Sequence, residues 1–252
     1  MALLDAKGVS KRFSGITALD SVTLDVGEGE SVGLIGPNGA GKTTFFNCLL
    51  GQLRVDAGAI TFDGRDLTRA PVYRRARAGI GRTFQRMELF AEMTVRDHLL
   101  VAERSRLGTG RFWKDVLNRS APSADEQARA EATLELLGLA ELADAPIEAL
   151  SLGRGRLVEV GRALMTDPKL LLLDEPSSGL DANETAALAE SLRAVQAERG
   201  TAVLLVEHDV EFVRTYVERV FVLDFGTLIV SGATGDVLAS DEVRRAYLGE
   251  TV

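Results

Sequence analysis

A glycine-rich segment between an apolar run and a helix-forming run places the strongest constraint on how this chain can fold. Residues 32–35 are apolar and predict a buried strand, which must end at residues 36–39, Gly-Pro-Asn-Gly, because these residues suit neither strand nor helix. Residues 36–43 match the pattern G-x-x-x-x-G-K-[ST] in the order that the pattern requires: strand, loop, helix. The segment therefore predicts a nucleoside triphosphate site.

The residue types in this loop fit phosphate chemistry. Glycines let backbone N–H groups turn toward a phosphate without obstruction, and the following helix adds unpaired N–H donors and the positive end of its dipole. Lys42 would supply a point charge to the β- and γ-phosphates, Thr43 a hydroxyl ligand for Mg²⁺, and Thr44 a second phosphate donor. A glycine-rich turn that binds nothing is disfavoured, because both flanks and all four fixed positions agree. The predicted nucleotide-binding residues of the loop are Gly36, Pro37, Asn38, Gly39, Ala40, Gly41, Lys42, Thr43 and Thr44.

Composition narrows the class of protein. The chain has 252 residues, enough for a sizeable core in one large domain or two smaller ones. Its net charge of −8 argues against a general nucleic-acid binder. The single cysteine, Cys48, cannot form an internal disulfide, which is compatible with a reducing cytosol. No apolar run approaches the ~20 residues of a membrane helix, so we expect no bilayer span.

Strand and helix patterns suggest how the chain is organised. Residues 3–26 alternate short β-like runs with polar turns, which predicts an antiparallel sheet before the loop strand. The middle third is mainly helical, with amphipathic patterns at 89–102 and 124–142, whereas both outer thirds mix strands and helices. This shift predicts a helical subdomain inserted into an α/β core. For the arginines of residues 71–77, a solvated helix face is the favoured interpretation.

Three further predictions concern individual helices. The spacing of Ala128, Ala132, Leu136 and Leu137 places them on one apolar face of a helix within residues 124–142. Residues 150–156 predict a loop ahead of a helix over 157–165, and residues 241–248 predict a terminal helix.

Two further buried strands end in polar residues. Residues 170–173 are four leucines followed by Asp174 and Glu175, and residues 201–206 are followed by Glu207 and His208. Because ligands bind at the carboxyl ends of parallel strands, we expect these residues and the glycine-rich loop to share one edge of the sheet.

The chemistry of these residues suits hydrolysis of a nucleoside triphosphate. Asp174 can hold the Mg²⁺ that Thr43 also contacts, and Glu175 can polarise an attacking water as general base. A solvated turn is the alternative for the acidic pair, and a lone histidine such as His208 is more often structural than catalytic. Phe13, beside two basic residues, could stack on a purine ring or occupy the core.

In combination these motifs resemble the ATP-binding-cassette (ABC) ATPases over nearly the whole chain. Residues 36–43 resemble the family's phosphate loop, Gln85 its glutamine loop, and Leu-Ser-Leu-Gly-Arg at 150–154 its signature. Asp174 and Glu175 resemble the magnesium carboxylate and the catalytic glutamate, and His208 the switch histidine. Residues 178–181, ending in Asp181, resemble the loop that crosses the dimer. Phe13 stands where the family usually stacks an aromatic ring on adenine.

The resemblance implies a fold and a mechanism. The fold would be a P-loop NTPase of the ABC type in a single domain, with an α/β core and antiparallel β subdomain at 1–82 and 160–252 and a helical subdomain at about 83–159. Two subunits would sandwich two ATP molecules, with Ser151 and Gly153 of one chain acting on the nucleotide of the other. Gln85 would contact the metal and report γ-phosphate occupancy. Arg154 replaces the usual glutamine, so the contact that glutamine makes to the nucleotide is left open.

Several segments resemble the ATPases of branched-chain amino-acid importers more closely. They are residues 45–49, 82–85, 89–95, 109–113, 206–209 and 245–250, although the last also resembles lipopolysaccharide-export ATPases. The resemblance implies a subunit that binds ATP and Mg²⁺ at the cytoplasmic face of the membrane and powers the import of branched-chain, or other hydrophobic or polar, amino acids. Its partners would be integral-membrane permeases, a second ABC ATPase subunit (a copy or a homologue) and, indirectly, a periplasmic or extracellular substrate-binding protein.

Three other functions stay open at this point. They are an export ATPase for a lipid or polysaccharide, a soluble ABC ATPase acting on a protein assembly, and a binding module that never hydrolyses ATP. The apolar residues after Gln85 form either a groove for a cytoplasmic helix of the permease or ordinary subdomain core; they are Met87, Leu89, Phe90 and Met93.

Overall fold

The computed structural model of the chain describes residues 2–83, 89–107 and 122–248. Its strands are β1 (Ala2–Phe13), β2 (Ile16–Gly27), β3 (Ser31–Ile35), β4 (Ala57–Phe62), β5 (Arg65–Asp66), β6 (Ile80–Arg82), β7 (Leu170–Asp174), β8 (Ala202–Val206), β9 (Arg219–Asp224) and β10 (Thr227–Ala233). Its helices are α1 (Lys42–Leu50), α2 (Val72–Ala78), α3 (Val95–Leu107), α4 (Ala124–Leu136), α5 (Leu152–Leu164), α6 (Ala182–Arg199), α7 (Val210–Tyr216), α8 (Thr234–Leu238) and α9 (Asp241–Leu248).

A six-stranded sheet in the order β10-β9-β3-β8-β7-β6 forms the centre of the fold. All neighbouring strands in it are parallel except β10, which closes a hairpin with β9. The four leucines of β7 are buried on both faces: Leu171 and Leu173 point to one side and Leu170 and Leu172 to the other, as the two-residue period of a strand requires. The predicted buried parallel strands are confirmed.

A second sheet, antiparallel and in the order β2-β1-β4-β5, covers one face of the first. Its apolar side chains share a core cluster with Phe45 and Leu49 of α1 and with Leu170 and Leu172 of β7. Helix α1 therefore lies in the layer between the two sheets. The predicted antiparallel sheet before the loop strand is confirmed.

Helices α3 to α7 contribute to the core on the opposite face, where Leu99 and Leu134 share a cluster with Ile35 and Leu173. The predicted helix at 89–102 begins six residues later, at Val95. The helix predicted over 124–142 ends at Leu136, near Gly138 with φ +66°. The helices therefore pack on one face of the sheet, and the subdomain boundaries stay a prediction.

The apolar face predicted for α4 was wrong for its two alanines, although Leu137 is buried as predicted. Ala128 and Ala132 are exposed, and the buried stripe runs instead through Ala130, Leu134 and Leu137. The predicted and the observed stripe are offset by two residues. Alanines lie on both sides of the helix, so the spacing of apolar residues does not show which side is buried.

The prediction of a solvated face for the arginines of α2 was wrong for Arg75. Arg75 is 2% exposed, and its guanidinium donates to the carbonyls of Cys48 and Leu49 at 2.7 Å and to those of Ala70 and Thr68. Two of these carbonyls belong to the last turn of α1, where a helix leaves acceptors unpaired. Arg75 therefore fixes the far end of the helix that follows the glycine-rich loop.

None of the helices in the described ranges has the length and apolar character needed to cross a membrane.

Candidate nucleotide site

The glycine-rich loop leaves β3 and enters α1 through three glycines in conformations that other residues rarely adopt. Gly36, Gly39 and Gly41 have φ values of +148°, +81° and +104°. A Cβ on Gly36 would lie 2.0 Å from the Leu223 carbonyl oxygen, and one on Gly41 would lie 2.6 Å from that of Ala18. Strands β9 and β2 therefore pack so closely on this loop that glycine is required for the fold as well as for phosphate approach.

Several other loop residues are accessible to solvent, although Ala40 is buried. Thr43 is exposed and Thr44 is half-buried in the first turn of α1. A cavity of about 570 Å³ beside the loop is lined by its outer residues together with the β9–β10 turn and α9. The loop residues on this cavity are Pro37, Asn38, Gly39 and Ala40.

Lys42, the first residue of α1, folds back over the loop. Its side chain is buried, and Nζ donates to the carbonyl oxygens of Gly36 at 2.6 Å and Pro37 at 2.9 Å. Burial lowers the pKa of Lys42, and the charges of Glu175 and Asp174 oppose that shift. The ammonium group therefore lies within the electrostatic reach of both carboxylates.

The acidic pair and His208 meet at the carboxyl ends of β7 and β8. These strands are parallel neighbours in which Asp174 pairs with Val206, so the residues that follow lie side by side. His208 Nδ1 is 4.0 Å from Glu175 Oε1 and 3.7 Å from Glu207 Oε2. Glu175 has φ +49°, and its N–H donates to the Val206 carbonyl at 2.9 Å. The chain thus turns sharply out of the sheet directly after Asp174.

Asp174 has one buried carboxylate oxygen that is left without a hydrogen bond in the part of the chain that the structure describes. Its Oδ1 is buried and accepts no hydrogen bond from the described residues, and burial and the neighbouring Glu175 raise the pKa of its carboxyl. Within the described ranges no group of three or more His, Cys, Asp and Glu residues forms a metal site by itself. This donor set fits Mg²⁺, which takes one or two protein oxygens and completes its shell with water and phosphate oxygens.

Phe13 lies at the end of β1, at the tip of the β1–β2 hairpin. Its ring is 42% exposed, which rules out the core position, and Lys11 Nζ is 5.4 Å from the ring centroid. The hairpin is tied to the glycine-rich loop through Gly226, whose N–H donates to Ala40 O and whose carbonyl accepts from the Asp20 N–H. An exposed aromatic face is thus attached to the loop.

Residues 150–154 begin a helix, where the sequence predicted a loop extending to residue 156. Ser151 caps α5, and its Oγ accepts from the N–H of Arg154. Gly153 is buried, and its N–H donates to Glu184 Oε1 at 3.2 Å. Arg154 is exposed and lines a cavity of about 580 Å³ between α4, α5 and α6.

Asp181 caps the N-terminus of α6, where it exchanges hydrogen bonds with Glu184. Its carboxylate accepts from the N–H of Glu184 at 2.9 Å, and Glu184 Oε2 accepts from the Asp181 N–H in return, which forms a capping box. Hydrogen bonds from Ser151 and Gly153 lower the pKa of Glu184. Glu184 therefore connects the segment that resembles the signature to the segment that resembles the dimer loop.

Two residues that shape the site, Glu184 and Glu207, had no role predicted from the sequence. The Asp-x-x-Glu pattern of 181–184 was a readable signal for the capping box, whereas nothing in the sequence marks Glu207 as fully buried. Gln85, predicted as a catalytic residue and metal ligand, lies outside the described residues, as do Met87 and the segments 109–113 and 249–250.

Known proteins resemble this chain in sequence over most of its length. The sequence model of the ABC transporter family matches residues 19–178, more than half of the chain. The high-affinity branched-chain amino acid transport ATP-binding protein LivG of Salmonella typhimurium is 41% identical over 250 residues, with 98% of each chain covered. Its counterpart BraF of Pseudomonas aeruginosa is 38% identical over 252 residues, with the same coverage.

A solved structure agrees with the fold. The crystal structure of an ATP-binding cassette of an ABC transporter in its ADP conformation superimposes with a TM-score of 0.88 at 32% sequence identity. The alignment covers 99% of this chain and 100% of that one.

Proposed function

This chain belongs to the ABC transporter family and is an ATP-hydrolysing transport ATPase, and we propose that it powers the uptake of branched-chain amino acids. Support for this substrate comes from LivG and BraF, whose names give branched-chain amino acid transport and which align over 98% of this chain. The partners in this proposal are integral-membrane permeases, with which the subunit works at the cytoplasmic face, and a separate substrate-binding protein. A second ABC ATPase subunit completes the assembly.

The observation that carries the proposed site is the meeting of Lys42, Asp174, Glu175 and His208 at one edge of the sheet. Residues 36–44 bind the phosphates of ATP, with Lys42 exchanging its two carbonyl partners for phosphate oxygens. Asp174, Thr43 and Gln85 would hold Mg²⁺, which would supply positive charge to offset the charge of the phosphates. Phe13 offers its exposed face to adenine.

Glu175 accepts the proton of the attacking water in this scheme. A general base must reach the water while its own position is fixed, and the Glu175 backbone is held by its hydrogen bond to the Val206 carbonyl. His208 lies 4.0 Å from Glu175 Oε1, close enough to share a hydrogen-bonded water or γ-phosphate oxygen with it. The two side chains thus flank the scissile bond together.

The second half of each site comes from the other ATPase subunit. Ser151 and Gly153 stand at the N-terminus of α5, where an exposed hydroxyl and the positive end of a helix favour a phosphate. Arg154 adds a charge at the same turn, and Asp181 faces the partner chain. ATP hydrolysis is thereby coupled to the closing of two chains around the nucleotide.

The experiment replaces Glu175 by Gln in the transporter assembled with its permeases. ATP binding persists, turnover falls by about 10³-fold, and the ATP-bound dimer accumulates, because a single base supplies roughly 10²–10⁴-fold. ATPase assays and size-exclusion chromatography with ATP measure both effects. The control is Glu211→Gln, an exposed position on α7. Full turnover by the Glu175→Gln variant would refute the base assignment.

An uptake assay identifies the transported substrate. Proteoliposomes containing the assembled complex and its binding protein should accumulate radiolabelled leucine, isoleucine or valine only with ATP on the side of this subunit. Extraction of lipid from the membrane without amino-acid uptake would instead establish the export alternative.

A further inference from the structure

We propose that Glu207 is a positioning residue that holds Glu175 and His208 in their working geometry, and that ATP turnover depends on it. This inference rests on the roles proposed above for Glu175 and His208. Glu207 follows β8 directly, and its side chain is completely buried.

The carboxylate of Glu207 has four hydrogen-bond donors, divided between two loops. Oε1 accepts from the Ser177 N–H at 2.9 Å and the Ser177 hydroxyl at 2.5 Å. Oε2 accepts from the backbone N–H groups of His208 at 2.8 Å and Asp209 at 3.1 Å. A buried carboxylate is costly unless its oxygens are hydrogen-bonded, and here each oxygen is satisfied by a different loop. Glu207 therefore joins the loop after Glu175 to the loop that carries His208.

The connection bears directly on the backbone of Glu175. The Glu175 N–H is bound to the carbonyl of Val206, next to Glu207, and Ser177 lies two residues further along the chain. Between these two attachments Glu175 adopts φ +49°, a conformation that non-glycine residues hold only where the surroundings enforce it. Glu207 supplies part of that enforcement.

His208 is held from the same carboxylate. Its N–H is bound to Oε2, and its Nδ1 lies 3.7 Å from that oxygen and 4.0 Å from Glu175 Oε1. The backbone contact fixes where the imidazole begins, so the spacing between His208 and Glu175 depends on Glu207. The Glu207 carboxylate therefore positions both Glu175 and His208.

A purely structural role predicts a different pattern of effects. If Glu207 only stabilised the fold, its loss would lower stability while each folded molecule kept its turnover. A positioning role predicts a fall in kcat with little change in ATP affinity, because Lys42 is anchored to the carbonyls of Gly36 and Pro37 and not to Glu207. The split between kcat and KM therefore separates the two roles.

The main variant is Glu207→Gln in the full-length chain assembled with its permeases. The amide keeps the shape but turns an NH₂ group toward donors that need an acceptor. We expect kcat to fall about 100-fold, the size of effect that follows displacement of a catalytic group by roughly 1 Å, with KM for ATP changed less than about twofold. The matched control is Glu126→Gln, which alters another buried carboxylate that accepts a backbone N–H, in the capping box of α4.

A second pair of variants avoids dependence on the folding of Glu207→Gln. Ser177→Ala removes the 2.5 Å hydroxyl contact and leaves the backbone donor, so kcat should fall about 10-fold. Ser177→Thr keeps a hydroxyl and should restore kcat to within about threefold of the parent.

The outcomes are separable. Unchanged kcat in Glu207→Gln or Ser177→Ala, with lowered thermal stability, overturns the positioning role and leaves the proposed function standing. Loss of turnover in Ser177→Ala that Ser177→Thr does not restore also counts against it. Glu175→Gln is measured in parallel: if that variant retains turnover, the failure lies in the proposed catalytic roles themselves.

Discussion

The sheet edge that bears Lys42, Asp174 and Glu175 and the helix start that bears Ser151 and Gly153 are built in different ways. At the sheet edge, the positions follow from the register of the parallel strands β3, β8 and β7, and the anchoring groups, Lys42 and Glu207, are buried. At the helix start, Ser151 and Arg154 are exposed, and hydrogen bonds to the surface carboxylate of Glu184 hold the turn.

This difference separates two tasks. Buried strands and close backbone packing hold the sheet edge in one geometry, which would favour tight nucleotide binding at the proposed site. Segments held by a few exposed hydrogen bonds open locally at low free-energy cost. In the proposed two-chain assembly, the start of α5 is therefore the part that adjusts around ATP, while the sheet edge keeps its geometry.

Replacing Lys42 should have the largest effect. In Lys42→Ala, the loop loses the ammonium group that lies over Gly36 and Pro37, so ATP affinity should fall about 100-fold and turnover about 10³-fold. Titration with a fluorescent ATP analogue and a phosphate-release assay measure the two quantities. Lys169→Ala is the control, because that lysine pairs with Asp63 away from the loop. Unchanged affinity would remove the loop from the proposed site.

Replacing Gly153 should separate binding from turnover. In Gly153→Asp the new Cβ would lie 2.8 Å from Glu184 Cβ, so the start of α5 must shift. In the proposed assembly the added carboxylate would also repel the phosphate of the nucleotide bound by the other chain. ATP affinity of the isolated chain should be unchanged, while turnover of the assembled transporter should fall about 30-fold. The same two assays apply.

A suitable control for that variant is Gly138→Asn, at a position with φ +66° and open space around it, which asparagine tolerates. Loss of ATP affinity in isolated Gly153→Asp chains would contradict the division of tasks between the sheet edge and the helix start.

The sheet edge could be predicted from the sequence, whereas the details of the helical part could not. Continuous apolar runs such as 170–173 identify buried parallel strands, and parallel strands bring Asp174 and His208 to one edge whatever the loops do. The terminal helix, predicted over 241–248, has the same bounds in the structure. Geometry that depends on strand topology is therefore readable from short patterns.

Geometry that depends on individual hydrogen bonds was missed. Ser151 reads as a loop residue, yet its cap starts α5 at Leu152, five residues before the predicted start at Leu157. Arg75 reads as a solvated cation, yet it is buried and donates hydrogen bonds to carbonyls in the last turn of α1. In both cases the deciding hydrogen bonds are made to backbone groups. Every residue carries such groups, so the sequence does not show which of them will be the partner.

The smallest predicted effect concerns His98 in α3, on the helical side of the comparison. His98 is 1% exposed; its Nε2 accepts from the Phe90 N–H at 2.9 Å and its Nδ1 lies 2.8 Å from Thr94 O. A neutral ring with its proton on Nδ1 satisfies both contacts, and a protonated ring would lose the first. Phe90 is 59% exposed and stacks on this ring, so His98 holds the segment that bears one of the predicted permease-contact residues.

Burial lowers the pKa of His98, helped by the positive charge of Arg162 and opposed by the Thr94 hydrogen bond and the charge of Asp97. The folded state thus takes up a proton less readily than the unfolded state, whose histidine titrates near 6.5. The His98 contribution to stability is present above pH 6.5 and is lost as the pH falls through the lower folded-state value. Urea unfolding at pH 7.5 and 5.5 should show a smaller pH dependence in His98→Gln than in the parent. His208 is exposed and present in both proteins, so equal pH dependence would show that the ring does not hold the Phe90 segment.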